Sequence, residues 1–161
     1  MQESTQYEWR ELVDRLRDED ASCVIRNGAE TRVFRERGVK DLFRLLETDP
    51  AFLAGALVAD KVVGKGAAAL MVLGGVRAVH AGVVSTPALG LFAAAHIPVE
   101  YGLEVPHIIN RTKTGWCPVE TLCRDCRTAE ECLPLIRGFL AAQRWHSPAR
   151  SVDAPDRNEK N

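Results

Sequence analysis

Asp60-Lys61-Val62-Val63-Gly64-Lys65-Gly66 runs directly into Ala67-Ala68-Ala69-Leu70-Met71-Val72-Leu73, and from Lys61 to Val99 the chain carries no carboxylate. A segment this apolar, with only Lys61, Lys65, Arg77 and two histidines as possible cations, is the buried centre of a domain. Its two lysines stand where a strand hands over to a helix. Helix starts attract anions, because unsatisfied backbone N–H groups and the positive end of the dipole point outward there. The stretch therefore predicts an α/β fold with a site that faces an anion.

Outward from this stretch, Gly74-Gly75 and Pro98 supply breaks. Between them the pattern predicts a buried strand over Phe52 to Ala59, a helix over Gly64 to Leu73, a strand over Val76 to Val84, a helix over Pro87 to Ala95 and a strand over Val99 to Val105. Strands alternating with helices of about ten residues imply parallel neighbours that are apolar on both faces. Upstream, Ser4 or Thr5 caps a helix whose Trp9, Leu12, Val13 and Leu16 form one buried face and which ends near Asp18. Cys23-Val24-Ile25 and Thr31-Arg32-Val33-Phe34 flank Asn27-Gly28 as a hairpin at a sheet edge, with Arg32, Arg35 and Arg37 solvated. A short helix over Lys40 to Glu47 stops before Asp49-Pro50. Downstream, Pro106 to Trp116 reads as a polar, basic loop and Glu130 to Gln143 as a closing helix.

The 161 residues suit one domain, over 1–145, with 146–161 predicted to be a disordered tail because it has almost nothing to bury. The formal net charge of −1 argues against bulk nucleic-acid binding. Met1-Gln2-Glu3-Ser4 has no secretory character, and the apolar run Gly66 to Val76 is far shorter than the ~20 residues of a membrane-spanning helix. A cytoplasmic location without membrane association is expected. A homo-oligomer is compatible with the sequence.

Gly64-Lys65-Gly66 invites comparison with a phosphate-binding P-loop, but Ala59 stands where that motif needs its first glycine and Gly66 where it needs a magnesium-binding Ser or Thr. What remains is a strand end at Asp60-Lys61, a glycine pair and a lysine in the first helical turn. Lysine opposes the dipole there, so its presence requires solvent or a bound anion. The bland alternative has Lys65 reaching water and Asp60 capping the helix. The histidines His80, His96 and His107 share no paired spacing.

The order of elements, the block Ala56 to Lys65, and Asn110-Arg111 followed by Cys117-Pro118-Val119-Glu120 together resemble the family catalogued as domain of unknown function 1893, whose members are similar in fold to cytidine deaminases. The resemblance spans about residues 22–140. It implies a three-layer α/β/α mixed sheet in which the two helices after the central strands would hold the zinc of a true deaminase. Such an enzyme needs a His or Cys, a neighbouring Glu and a Pro-Cys-x-x-Cys helix start. Here the first helix start offers Asp60, Lys61, Gly64 and Lys65, and the second reads Thr86-Pro87-Ala88-Leu89-Gly90-Leu91. No deaminase-type zinc is expected. A ligand in the implied cleft would meet Asp60, Lys61, Gly64 and Lys65, then Ser85 and Thr86, then Asn110, Arg111, Thr114 and Cys117, and a small anionic, nucleotide-like molecule is favoured by analogy. A desolvated lysine there is the candidate acid, base or nucleophile.

Cys117, Cys123, Cys126 and Cys132 lie at spacings x5, x2, x5. Four thiols near one Cys-x-x-Cys pair could enclose a soft metal or serve a redox module, which is the alternative function, although the spacing matches no common site and cysteine is also an ordinary core residue. With Cys23 they are expected to be free thiols or metal ligands rather than disulfides.

Overall fold

The computed structural model describes residues 2–36, 39–109 and 115–146. Helix α1 (Gln2–Asp18) leads into the hairpin β1 (Cys23–Asn27) and β2 (Glu30–Phe34), then α2 (Lys40–Thr48) and the single turn α3 (Pro50–Leu53). Two strand–helix units follow: β3 (Leu57–Val63) with α4 (Lys65–Gly74), and β4 (Ala78–Ser85) with α5 (Thr86–Ala94). Strand β5 (Val99–Val105), the short helix α6 (Pro118–Leu122) and α7 (Ala129–His146) complete the described chain. The five strands form one mixed sheet in the order β2-β1-β3-β4-β5. β1 is antiparallel to both β2 and β3, whereas β3, β4 and β5 run parallel.

Alternate residues of β1 and β3 point to opposite faces. Val24, Leu57 and Ala59 pack with Leu12, Leu16 and Ala21 under α1. Ile25 and Val58 join the larger core built with α2, α4, α5 and α7, where Leu70, Met71, Phe92 and Ile136 are fully buried. The central strands are therefore apolar on both faces, as parallel strands covered by helices require. Among the described residues no helix is long and apolar enough to cross a membrane.

Several sequence expectations are corrected at their boundaries. Phe52 belongs to α3 rather than to a strand: Pro50 at the first helical position starts a turn, and Gly55, at φ 79°, breaks the chain before β3 begins at Leu57. An unbroken apolar run from Phe52 to Ala59 conceals this, because periodicity alone does not separate a buried turn from a buried strand. Ser4 and Thr5 lie inside α1 and do not cap it. The hairpin turn is Gly28-Ala29, with Asn27 paired to Glu30 and Gly28 at φ 62°. Arg32 is only partly solvated: its guanidinium lies 3.8 Å from the Phe52 ring centroid and bonds Glu30 and Asp49. Helix α7 extends to His146; the predicted tail beyond it, and Arg37, lie outside the described residues.

Candidate functional site

Helix α4 starts beneath a carboxylate of the protein itself. Gly64 is its N-cap, and the first helical amide, Lys65 N–H, donates to Glu120 Oε1 at 2.7 Å. The other oxygen of Glu120 accepts from Ile108 N–H at 2.6 Å, and Ser85 Oγ donates to Oε1 at 3.4 Å. Glu120 is buried, and Ser85 is the N-cap of α5, also accepting from Ala88 N–H. One side chain thus ties together the starts of α4 and α5 and the segment after β5. A Cβ at Gly64 would stand 3.1 Å from Glu120 Oε1 and 3.0 Å from Ile108, so the carboxylate's close approach depends on glycine there.

Lys65 is buried as well, and its ammonium donates to the carbonyls of Arg124 and Cys126 in the turn between α6 and α7. The expectation that Lys65 faces solvent or an external anion is corrected: the anion that the dipole demands is Glu120, and the charged end of the lysine turns into the protein. This also removes Lys65 as the lysine of an open cleft. Asp60 caps nothing; it lies within β3, one strand turn before the helix.

A cleft of about 560 Å³ opens beside the carboxyl end of β3. Of the expected site residues, Asp60, Lys61, Gly64 and Cys117 line it, whereas Lys65, Ser85 and Thr86 do not. Thr86 Oγ1 instead donates to Glu104 Oε2 at 2.7 Å on β5. Asn110, Arg111 and Thr114 lie outside the described residues. Cys117, the N-cap of α6, donates its N–H to Ile108 O at 2.8 Å. Apolar walls come from Ile25, Val39, Leu42, Ala67 and Leu140.

Asp60 is the unusual group in this cleft. Burial pushes its carboxyl up to about 7, against partial compensation from Val62 N–H, the Cys23 thiol and Lys61 N–H. Cys23, opposite Asp60 in the β1–β3 register, is in turn raised well above the usual thiol value, by burial first and by the Asp60 charge second. Lys61, by contrast, is half-exposed and pairs with Asp20 at 3.0 Å.

Behind the start of α4 lies a second group. The sulfurs of Cys123, Cys126 and Cys132 are within 4.8 Å of one another, and Cys117 is not among them, which corrects the four-thiol grouping expected from spacing. A hydrogen bond from Cys132 holds Cys123 below the ordinary thiol value, while burial pushes Cys126 up to about 11. Sequence reasoning missed Glu120 and Cys23 as site residues. Glu120 was visible only as the last letter of Cys-Pro-Val-Glu, and its signal was the absence of any acid in the first turn of α4.

These features define an α/β protein with a five-stranded mixed sheet and a cleft at the carboxyl end of a central strand. The chain belongs to the family described as domain of unknown function (DUF1893), named TM1506, whose model matches residues 11–140. It is similar to the crystal structure of a DUF1893 family protein (TM1506) from Thermotoga maritima, with TM-score 0.75 and 26% identity over 81% of this chain and 88% of that one. No curated protein matches the chain.

Proposed function

We propose that the protein binds a small nucleotide-like molecule in the cleft beside β3, with Asp60 as the group that recognises its heterocyclic end. The observation that carries this reading is a buried carboxyl, poised near neutrality, on the wall of a largely apolar cleft of about 560 Å³. That volume lies within the roughly 300–1,000 Å³ of small-molecule sites, and a buried carboxyl with a shifted pKa in a cleft is a candidate functional group. The apolar walls suit a flat ring. Asp60 accepts hydrogen bonds from ring N–H or amino groups when ionised, and donates one when neutral.

The anionic end of the ligand belongs at the rim rather than at the start of α4. Arg35, Lys40 and Lys61 line the cleft, and among the described residues each is held by an exposed ion pair, to Glu19, Glu36 and Asp20 respectively. Such pairs are worth about 0–1 kcal/mol and are readily exchanged for a ligand phosphate.

The same reading takes the two-sided packing of helices on the sheet as the three-layer arrangement of a cytidine deaminase-like fold. Hydrolytic deamination does not come with it. At the positions the resemblance would give to zinc-binding cysteines, α5 carries buried Ala88 and Leu91, and the gap between the starts of α4 and α5 is bridged by Glu120. These residues do not fit a zinc-activated hydroxide.

Thermal-shift and calorimetric titrations against nucleobases, nucleosides, nucleoside monophosphates and sugar phosphates test the proposal. Nucleoside monophosphates are expected to stabilise the wild type more than sugar phosphates do. Asp60→Asn is expected to weaken their binding about tenfold or more, since a hydrogen bond to a charged group is worth roughly 1.5–3 kcal/mol. A wild type that none of these compounds stabilises would end this reading.

A further inference from the structure

The three clustered thiols stand apart from the cleft, and none of them lines it. Cys123 is the C-cap of α6, Cys126 follows in the next turn with its N–H donating to Cys123 O at 3.0 Å, and Cys132 sits near the start of α7. Cys123 and Cys132 are buried, and Cys126 is partly exposed. Their sulfurs converge within 4.8 Å. Three thiolates around one zinc ion, each ~2.3 Å from the metal in tetrahedral geometry, would be about 3.8 Å apart, so the observed separation needs only side-chain adjustment.

A second, independent observation lies against the cluster. The buried ammonium of Lys65 is bonded to the carbonyls of Arg124 and Cys126, which belong to the Cys-x-x-Cys turn, and these are neutral partners. Among the described residues no carboxylate pairs with it. A positive charge fixed beside this turn favours negative charge on the groups around it. Three thiolates with a divalent ion carry a net charge of about −1, which Lys65 balances.

We propose that Cys123, Cys126 and Cys132 bind a single thiophilic metal ion of the zinc class, with Lys65 as its built-in counter-charge and the fourth coordination position open on the side of partly exposed Cys126. Each thiol forms a sulfur–metal bond as its S–H proton passes to solvent, so binding releases up to three protons and changes no oxidation state. Three protein ligands with one open position is an arrangement of exchangeable or reactive sites rather than of closed structural ones.

The test uses the full chain, reduced, with zinc and cobalt(II) as probes. One metal per chain is expected by elemental analysis after gel filtration, with a thiolate-to-cobalt charge-transfer band on cobalt loading. Alkylation followed by peptide mapping should show zinc protecting the partly exposed Cys126 while Cys117 still reacts, and this readout needs no variant to fold. Cys126→Ser should weaken zinc binding by about a hundredfold or more, Cys117→Ser should leave it unchanged, and Lys65→Met should weaken it about tenfold. The proposal is overturned by reduced wild type that takes up no zinc and gains no protection. Zinc affinity that survives Cys126→Ser unchanged also overturns it, as does a disulfide within the cluster whose reduction fails to restore metal uptake. None of these outcomes bears on nucleotide binding in the cleft.

Discussion

Lys65 is a positive side chain in the first turn of a helix, where the dipole disfavours it, and the fold answers by satisfying the dipole with Glu120 and the ammonium with two carbonyls. Removing the ammonium should therefore loosen the contact between α4 and the α6–α7 turn. Lys65→Met is expected to lower stability by about 1–3 kcal/mol in denaturant titration, the range for unmaking hydrogen bonds to a buried charge. An unchanged midpoint would show that the two carbonyl contacts are idle. Asp60 gives a pH-dependent expectation. Its folded value of about 7 lies above the ordinary 3.8, so the folded state binds the extra proton. Stability from this group is complete below about pH 4 and is lost as pH rises through 7, by on the order of a few kcal/mol. Asp60→Asn should abolish that loss, so the melting-temperature advantage of the variant over wild type should grow from pH 5 to pH 8. The sequence made Lys65 conspicuous and Asp60 merely adjacent, because a dipole mismatch is local while desolvation of a carboxyl depends on what packs around it. Glu120, 55 residues from its partner, left no local trace.

Among the elements, α4 is fitted most tightly. A Cβ at Gly66 would lie 2.3 Å from Val119 Cγ1 of α6, and one at Gly74 would lie 2.8 Å from Leu53 Cδ1 of α3. Gly66→Ala is expected to cost about 1–3 kcal/mol through overpacking, even though alanine favours helix, and a chemical denaturation series reads it directly. A stabilised Gly66→Ala would mean that α6 gives way freely. The alternation from β3 to β5 was legible because Gly74-Gly75 and Pro98 punctuate long apolar runs, and β5 runs over Val99–Val105 as its pattern indicates. The α3 turn was not legible, since Phe52, Leu53 and Ala56 are all buried and a run of buried residues has no period. The thiol cluster likewise emerges from the turn between α6 and α7, which brings Cys132 back over Cys123 and leaves Cys117 at the far end of α6.

For the molecule as a whole, the sheet order places the hairpin on one side of β3 and the parallel units on the other, with the carboxyl end of β3 as the shared wall of the cleft. The edge hairpin and the parallel β3–β5 units followed from element types and connection lengths; the strand order, and which residues meet across the finished structure, did not. The Glu120 bridge also has a consequence for synthesis on the ribosome. Until residue 120 has left the exit tunnel, the starts of α4 and α5 lack the carboxylate that joins them, and the faces later covered by α6 and α7 stay open to water. A chain truncated after Trp116 should remain a loosely packed intermediate, retaining far-ultraviolet helical signal while binding a hydrophobic dye and losing dispersed amide resonances. A sharply melting, dye-free truncation product would refute this. The nascent chain thus depends on a late segment to lock an early helix, and its vulnerability to proteases and to aggregation should be concentrated in the interval before that segment emerges.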